Sequence, residues 1–521
     1  MPDPPMITDQ RGIGHVYFES MLKYREKIAQ VDGHTGEEET YESLLKRSIR
    51  TAITMQNMGI KPGDFVSMCT VNDMDACVVY IASLFIGAIM ANLDVNMSTQ
   101  EIIFFLNQFS PKIIFATPNS ESVIQEVIRD LSGEITLVVF GETELNLRFA
   151  DFTRRYENED KFKPREVDNL EETAFVVFSS GTTDRPKGIC HSHLAMVSHN
   201  YKEEGCYTFA TFHSPRMSVF NRFIHDTIRY GFKRVLFRGF DLEDPWKVLN
   251  YKVDFMLLPP IASRAFLKIR KLDHLDLENL KMMMVGGNHS SKEHTMGLRT
   301  ILPKTNVVQG YGQTEVFSRI LKFSEDQREL SLSQKYPDSV GLPSKGICYK
   351  VVNVETEEVL GPNQEGELRL KTKHLMKGYY NDESIDFLDC EGWYRTGDLA
   401  YYNEDRCFFI TGRAKETFKY RYHHIYPKEI EDVLLTHPSV QNAAVLSVAH
   451  EEDGNRPIAV VELNTNEPEV TPDEIIKYID ERVDDKYRLR GGVKIIKQFP
   501  LTPSFKINLS KLKEMLKNNL I

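Results

Sequence analysis

The stretch FVVFSSGTTDRPKGICHSH, Phe175 to His193, decides how the chain is read. Phe175, Val176, Val177 and Phe178 form a short β-prone run. It breaks into Ser179, Ser180, Gly181, Thr182, Thr183, Asp184, Arg185, Pro186, Lys187 and Gly188. Small hydroxyl residues between glycines leave backbone N–H and side-chain O–H groups free to converge on phosphate oxygens. Lys187 adds a point charge, and Gly181 and Gly188 let the backbone approach closely. A Walker loop is excluded, because the lysine precedes the second glycine and no Ser or Thr follows it. The dinucleotide fingerprint G-x-G-x-x-G is absent from this loop as well. Taken alone, the stretch also reads as an ordinary polar loop after a strand.

Working outward, the loop resembles the phosphate loop of adenylate-forming enzymes. That superfamily holds acyl-CoA synthetases, 4-coumarate ligases, firefly luciferases and nonribosomal adenylation domains. Its loop reads roughly S/T-S-G-S/T-T-G-x-P-K-G, and Asp184 stands where the family has its second glycine. Downstream, Gln309-Gly310-Tyr311-Gly312-Gln313-Thr314-Glu315 resembles the family's Q-G-Y-G-x-T-E. A tyrosine offers an aromatic face for adenine, a threonine can bond an α-phosphate oxygen, and a glutamate is a hard oxygen ligand for Mg²⁺. Val285-Gly286-Gly287-Asn288 resembles the S-G-G-A turn, where paired glycines let the backbone lie against an adenine or acyl group. Trp393-Tyr394-Arg395-Thr396-Gly397-Asp398 matches W-x-x-T-G-D, whose carboxylate can accept ribose hydroxyls. Gly412-Arg413-Ala414-Lys415-Glu416 matches the junction at which the family's C-terminal domain rotates, and Lys506 sits in the loop that carries the catalytic lysine. Phe212-His213 matches an aromatic–His pair that helps order the acid substrate.

The resemblance spans about Tyr17 to Leu516 and implies an α/β fold. Its large, multi-layer N-terminal adenylation domain covers residues 1–413, and a small α+β lid covers 414–521. The implied chemistry has two steps. A carboxylic acid, fatty or aromatic, attacks ATP to give acyl-AMP and pyrophosphate, and coenzyme A then displaces AMP. The roles implied are catalytic for Lys506, Glu315 and Thr314, with Glu315 on Mg²⁺. Ser180, Gly181, Thr182, Thr183, Lys187, Gly287, Asn288, Tyr311, Gly312, Asp398 and Arg413 would bind the nucleotide. His213 and Gly286 would line the acid pocket, Lys415 would be the hinge, and Lys419 and Tyr422 would border the coenzyme A tunnel. Tyr422 replaces a tunnel glycine and Phe505 replaces the glycine before the lysine. Two alternatives stay open: a homologue that binds without turnover, and an adenylating enzyme with another, luciferase-like acceptor.

Composition agrees with a globular protein of more than one domain: 521 residues, 41% hydrophobic and 27% charged. A net charge of −11 with no Lys/Arg-rich patch argues against nucleic acid. Seven scattered cysteines without a C-x-x-C pair point to reduced thiols in an intracellular, cytoplasmic setting. The N-terminus lacks a secretory pattern, and Asn519-Leu520-Ile521 is not a peroxisomal S-K-L. Ala76 to Ala91, the longest uncharged apolar run, is shorter than a membrane span and reads as a buried core helix. Residues Tyr17 to Ile60 read as helical, and the strand–helix alternation that follows predicts a parallel, helix-covered sheet. Oligomeric state is not readable from the chain.

Overall fold

A computed structural model describes residues 9–131, 134–178, 187–199, 207–269, 277–382, 384, 386–464, 468, 470–502 and 506–521. The strand Thr173–Phe178 lies inside an eight-stranded sheet. Its neighbours are Ile89–Ala91, paired parallel, and Gly188–Ser192, paired antiparallel. Five of its six residues are buried, as a continuous apolar run in a sheet covered on both faces requires. Beyond Ile89–Ala91 the sheet continues in parallel through Phe65–Cys69, Ile113–Ala116 and Thr136–Val139. Val177 pairs with Ile189 and Phe178 with Gly188, so both ends of the glycine-rich loop are pinned by one hairpin.

A second sheet runs Asn306–Gly310, Met282–Gly286, Phe255–Leu258, Thr208–Thr211, Lys233–Leu236, Ile28–Asp32 and Glu38–Thr40. All its pairs are parallel except the last. That last pair corrects the helical reading of Tyr17 to Ile60. Helices Ile13–Lys23 and Tyr41–Asn57 flank a β-hairpin instead. Asp32 makes the turn: its Oδ1 accepts from the backbone N–H of His34 at 2.7 Å and of Thr35 at 2.9 Å. The apolar run from Ala76 is likewise two elements. The helix Met74–Ile86 stops at Gly87, whose φ of +75° suits a left-handed cap, and Ile89–Ala91 is a strand.

A four-stranded antiparallel sheet follows, Ile347–Val352, Gly366–Thr372, Tyr394–Tyr402 and Phe408–Arg413. Its register sets Asp398 opposite Arg413. From Phe418 onward the chain forms a separate five-stranded sheet with the helices Pro427–Leu434, Pro472–Asp480 and Leu509–Lys517. This unit has its own cores, one around Tyr420, Ile430, Leu434 and Ile475, the other around Leu446, Val460, Phe499 and Leu512. The whole is an α/β protein with a large N-terminal part and a small C-terminal one. Among the described residues, no helix is long and apolar enough to cross a membrane.

Candidate active site

Asp398 is the centre of the site. It is buried, and its Oδ2 accepts from the Tyr311 hydroxyl at 2.5 Å and from Gln313 Nε2 at 2.6 Å. Arg413 Nε stands 3.0 Å from Oδ1, across the sheet register. Gln313 also donates to the Thr396 carbonyl at 2.9 Å and accepts from the Tyr394 hydroxyl at 2.7 Å. The carboxylate is therefore fixed in orientation, with acceptor capacity left on Oδ1. The sequence reading missed Gln313 and Tyr394. Gln313 occupies a position that the family pattern leaves open, and Tyr394 lies inside a motif read only for its terminal aspartate.

Lys506 enters this cluster from the C-terminal unit. The backbone around it is closed by hydrogen bonds between Thr502 and Lys506, at 2.7 Å from the Thr502 N–H and 3.2 Å to the Thr502 hydroxyl. Burial, with Arg413 nearby, holds the Lys506 ammonium below its usual pKa, while Asp398, Glu315 and Glu416 pull it back up. Burial raises the Glu315 carboxyl, against the favourable charges of Arg413 and Lys506. A methyl placed on Gly287 would lie 3.7 Å from Lys506 Cε, and Gly287 has φ +89°. Five segments of the chain thus bring Gly287, Glu315, Asp398, Arg413 and Lys506 together. Glu416 joins them and was not singled out from sequence.

Thr314 is held through its backbone: its carbonyl lies 2.8 Å from His191 Nε2. His191 is fully buried, and burial drops its pKa to about 4, so it stays neutral and donates from Nε2. Lys187 lies 4.7 Å over the Tyr379 ring and 3.5 Å from Asp382. Burial, with Glu315 and Asp382 nearby, pushes the Tyr379 hydroxyl up to about 12. Ser180, Gly181, Thr182 and Thr183, like Asp184 and Phe505, lie outside the described residues.

His213 packs against Phe223 with ring centroids 5.6 Å apart, and its Nδ1 is buried without a hydrogen-bond partner. Burial lowers its pKa to about 4. Gly286 pairs with Gly310, and a methyl on it would lie 2.9 Å from the Gly310 carbonyl oxygen. Its small size serves the contact between two strands. Asn288 and Gly312 are exposed beside the cluster, as is Lys415 just past Arg413. Lys419 is exposed in the strand Phe418–Tyr420, and Tyr422 sits at the hairpin tip with 96% of its surface in solvent. Both side chains thus face solvent, and no hydrogen bond or ion pair among the described residues ties either to the cluster around Lys506.

Three features suit a nucleotide and a divalent cation. Asp398 is a preset acceptor, Arg413 and Lys506 are cations converging beside it, and Glu315 offers one hard oxygen. Mg²⁺ bound mostly by phosphates needs only one or two protein carboxylates. Among the described residues, no cluster of three or more ligating side chains is present for a metal held by protein alone.

The sequence matches the AMP-binding enzyme model over residues 17–380 and the AMP-binding enzyme C-terminal domain model over residues 429–506. It is 30% identical to a luciferin 4-monooxygenase of Photuris pensylvanica, covering 99% of this chain and 97% of that protein. It is also 30% identical to a protein named probable CoA ligase from Humulus lupulus, over 97% of this chain and 93% of that one. Among solved structures, the luciferase-like enzyme from the nonluminescent mealworm Zophobas morio matches with TM-score 0.74 and 32% identity, over 80% of this chain and 98% of that chain. The chain belongs to the AMP-binding, adenylate-forming enzyme family.

Proposed function

We propose that this protein activates a carboxylic acid with ATP, as acyl-AMP, and passes the acyl group to coenzyme A. The observation that carries the reading is Lys506, delivered by the C-terminal unit into the cluster of Glu315, Asp398 and Arg413. In the first step a carboxylate oxygen bonds to the α-phosphorus of ATP and the bond to pyrophosphate breaks. Negative charge grows on oxygens near Lys506, whose desolvated ammonium acts strongly there. Asp398 and Arg413 hold the ribose, and Tyr311, Gly287, Asn288 and Gly312 border the base. Thr314 bonds the α-phosphate. Lys187 and residues 180–183 take the pyrophosphate. Mg²⁺, held by Glu315, would neutralise phosphate charge. His213 and Gly286 border the acid.

We assign residues 1–413 to the nucleotide-binding part and 414–521 to a lid that turns about Lys415. Turning brings the hairpin of Lys419 and Tyr422 to the thiol path, where the sulfur attacks the acyl carbon and AMP leaves. A second reading keeps the first step and changes the acceptor. It is favoured by Tyr422, which fills a position where the family has glycine.

The test is pyrophosphate release and acyl-CoA formation with Mg-ATP, coenzyme A and a panel of fatty and aromatic acids. Lys506→Ala should lower pyrophosphate release by on the order of a hundredfold or more, since it removes a charge used mainly in the transition state. Equal release by wild type and variant with every acid would sink the catalytic assignment. Release without thioester would favour the second reading.

A further inference from the structure

The connection from Phe212 to Met217 leaves the carboxyl end of the strand Thr208–Thr211 and enters the helix Ser218–Tyr230. It carries His213 and, three residues on, Arg216. The Arg216 guanidinium lies 5.0 Å from the centre of the Phe105 ring and 5.6 Å from that of Phe178. Its Nε is buried and has no hydrogen-bond partner. Among the described residues it makes no ion pair. The two carboxylates that act on it from a distance are already engaged. Asp94 accepts from the Ser214 hydroxyl at 2.6 Å and from Asn96, and Glu101 closes the capping box of Ser98. Burial accordingly lowers the Arg216 pKa from its ordinary value.

Other arginines that are wholly or partly buried are treated differently. Arg222 and Arg319 share Asp226, and Arg369 meets Glu357, Glu367 and Asp389. Arg216 is partly buried: its Nε has neither water nor an acceptor, and among the described residues no carboxylate pairs with the guanidinium, a cost to the fold that two ring faces offset only in part. Such a cost persists where a ligand supplies the missing acceptors. A planar fork of N–H donors fits a carboxylate or phosphate edge. The position agrees. Phe178 ends the strand leading to the glycine-rich loop, and His213 shares Arg216's own connection, so the guanidinium stands where the carboxyl ends of the two sheets adjoin.

We propose that Arg216 is a binding group for an anionic oxygen ligand in the active site, a role that rests on the nucleotide- and acid-binding reading above. The same chemistry has two sources: a second acid group at the far end of the substrate, or the phosphate chain of the nucleotide. The full-length protein and Arg216→Met would be compared in two assays. One is the melting shift caused by inorganic pyrophosphate and by Mg-ATP. The other is kcat/KM for suberate against octanoate, and for terephthalate against benzoate.

A drop of roughly tenfold or more confined to the diacids assigns the acid source. A matching loss of pyrophosphate- and ATP-induced shift, with mono- and diacids affected alike, assigns the phosphate source. Unchanged ligand shifts and unchanged acid preference overturn the proposal. Without ligand, Arg216→Met should melt at the same temperature as wild type or higher, because it removes a partly buried charge that has no ion pair among the described residues. A variant that melts lower or fails to fold shows a structural role and also overturns it. Arg216→Lys, keeping the charge without the fork, should fall between the two. Absence of pyrophosphate release by wild type with any acid would instead defeat the parent reading, and the pyrophosphate melting shift would still judge Arg216.

Discussion

Gly286 and Gly310 face each other across a parallel strand pair, yet their tolerance of a methyl should differ. At Gly286 the methyl would meet the Gly310 carbonyl oxygen at 2.9 Å, which is backbone and can give way only by moving the strand. At Gly310 it would meet Met284 Sδ at 2.7 Å, on a side chain that can change rotamer. Gly286→Ala should cost about 1–3 kcal/mol, with Gly310→Ala costing clearly less. Urea unfolding of the two variants checks this, and equal losses would refute it. Several residues of the site were legible in sequence because short motifs carry them. Asp398 and Arg413, for instance, end up as register partners. The Tyr311 hydroxyl was not legible. Sequence reading gave its ring a role against adenine, but its hydroxyl binds a carboxylate 87 positions away, and only the tertiary fold sets that direction.

Elements were read well where pattern and punctuation agreed. Phe255–Leu258, Met282–Gly286 and Asn306–Gly310 are apolar runs closed by Pro or Gly, and all are strands. Between Tyr17 and Ile60 the helical spacing of Leu44, Leu45, Ile49 and Ala52 was extended too far back. The turn chemistry of Asp32, His34, Thr35 and Gly36 was the signal that could have stopped it. The helix Pro427–Leu434 supports a prediction of its own. Glu431 is turned inward, and its Oε1 accepts from the Val445 N–H at 2.8 Å. Burial, with Asp432 and Glu416 adding to it, raises its pKa to about 7, against the Val445 bond and Lys428. The folded carboxyl thus keeps a proton that the unfolded chain releases near the ordinary glutamate value of 4.5. That contribution to stability is full below the unfolded pKa and is lost as pH rises toward 7, on the order of 3 kcal/mol in all. Glu431→Gln keeps an acceptor for Val445 and removes the titration. Its melting temperature should fall less than that of wild type between pH 5 and pH 8, and parallel curves would refute the assignment.

For the whole molecule, polar contacts join the two units among the described residues. Arg264 reaches the Gln441 carbonyl at 3.1 Å and Asn442 Oδ1 at 2.7 Å, His289 Nε2 lies 2.6 Å from Asp432, and Lys428 bonds the Ile410 carbonyl. Polar contacts of this kind suit a surface that parts and re-forms. On the proposed reading the second step requires rotation, and Tyr422 bears on it. On that reading a phenol ring in place of a glycine hydrogen would crowd the thiol channel at about 1–3 kcal/mol, roughly tenfold to a hundredfold in rate. Single-turnover transfer from preformed acyl-AMP to coenzyme A should be faster in Tyr422→Gly than in wild type. Equal rates with efficient thioester formation would show that the ring moves off the path.

Lys506 and Tyr422 ride on the same C-terminal unit, one turned into the cluster and the other almost wholly in water. On the proposed reading this is a matter of timing. The body that brings the lysine home holds the thiol-side hairpin away, so the two reactions take turns and never overlap. Coenzyme A that arrives early meets no finished channel and cannot intercept ATP. The residence time of acyl-AMP is then set by the swing of about a hundred residues rather than by the reactivity of the mixed anhydride. A protein built this way guards a labile intermediate with a clock.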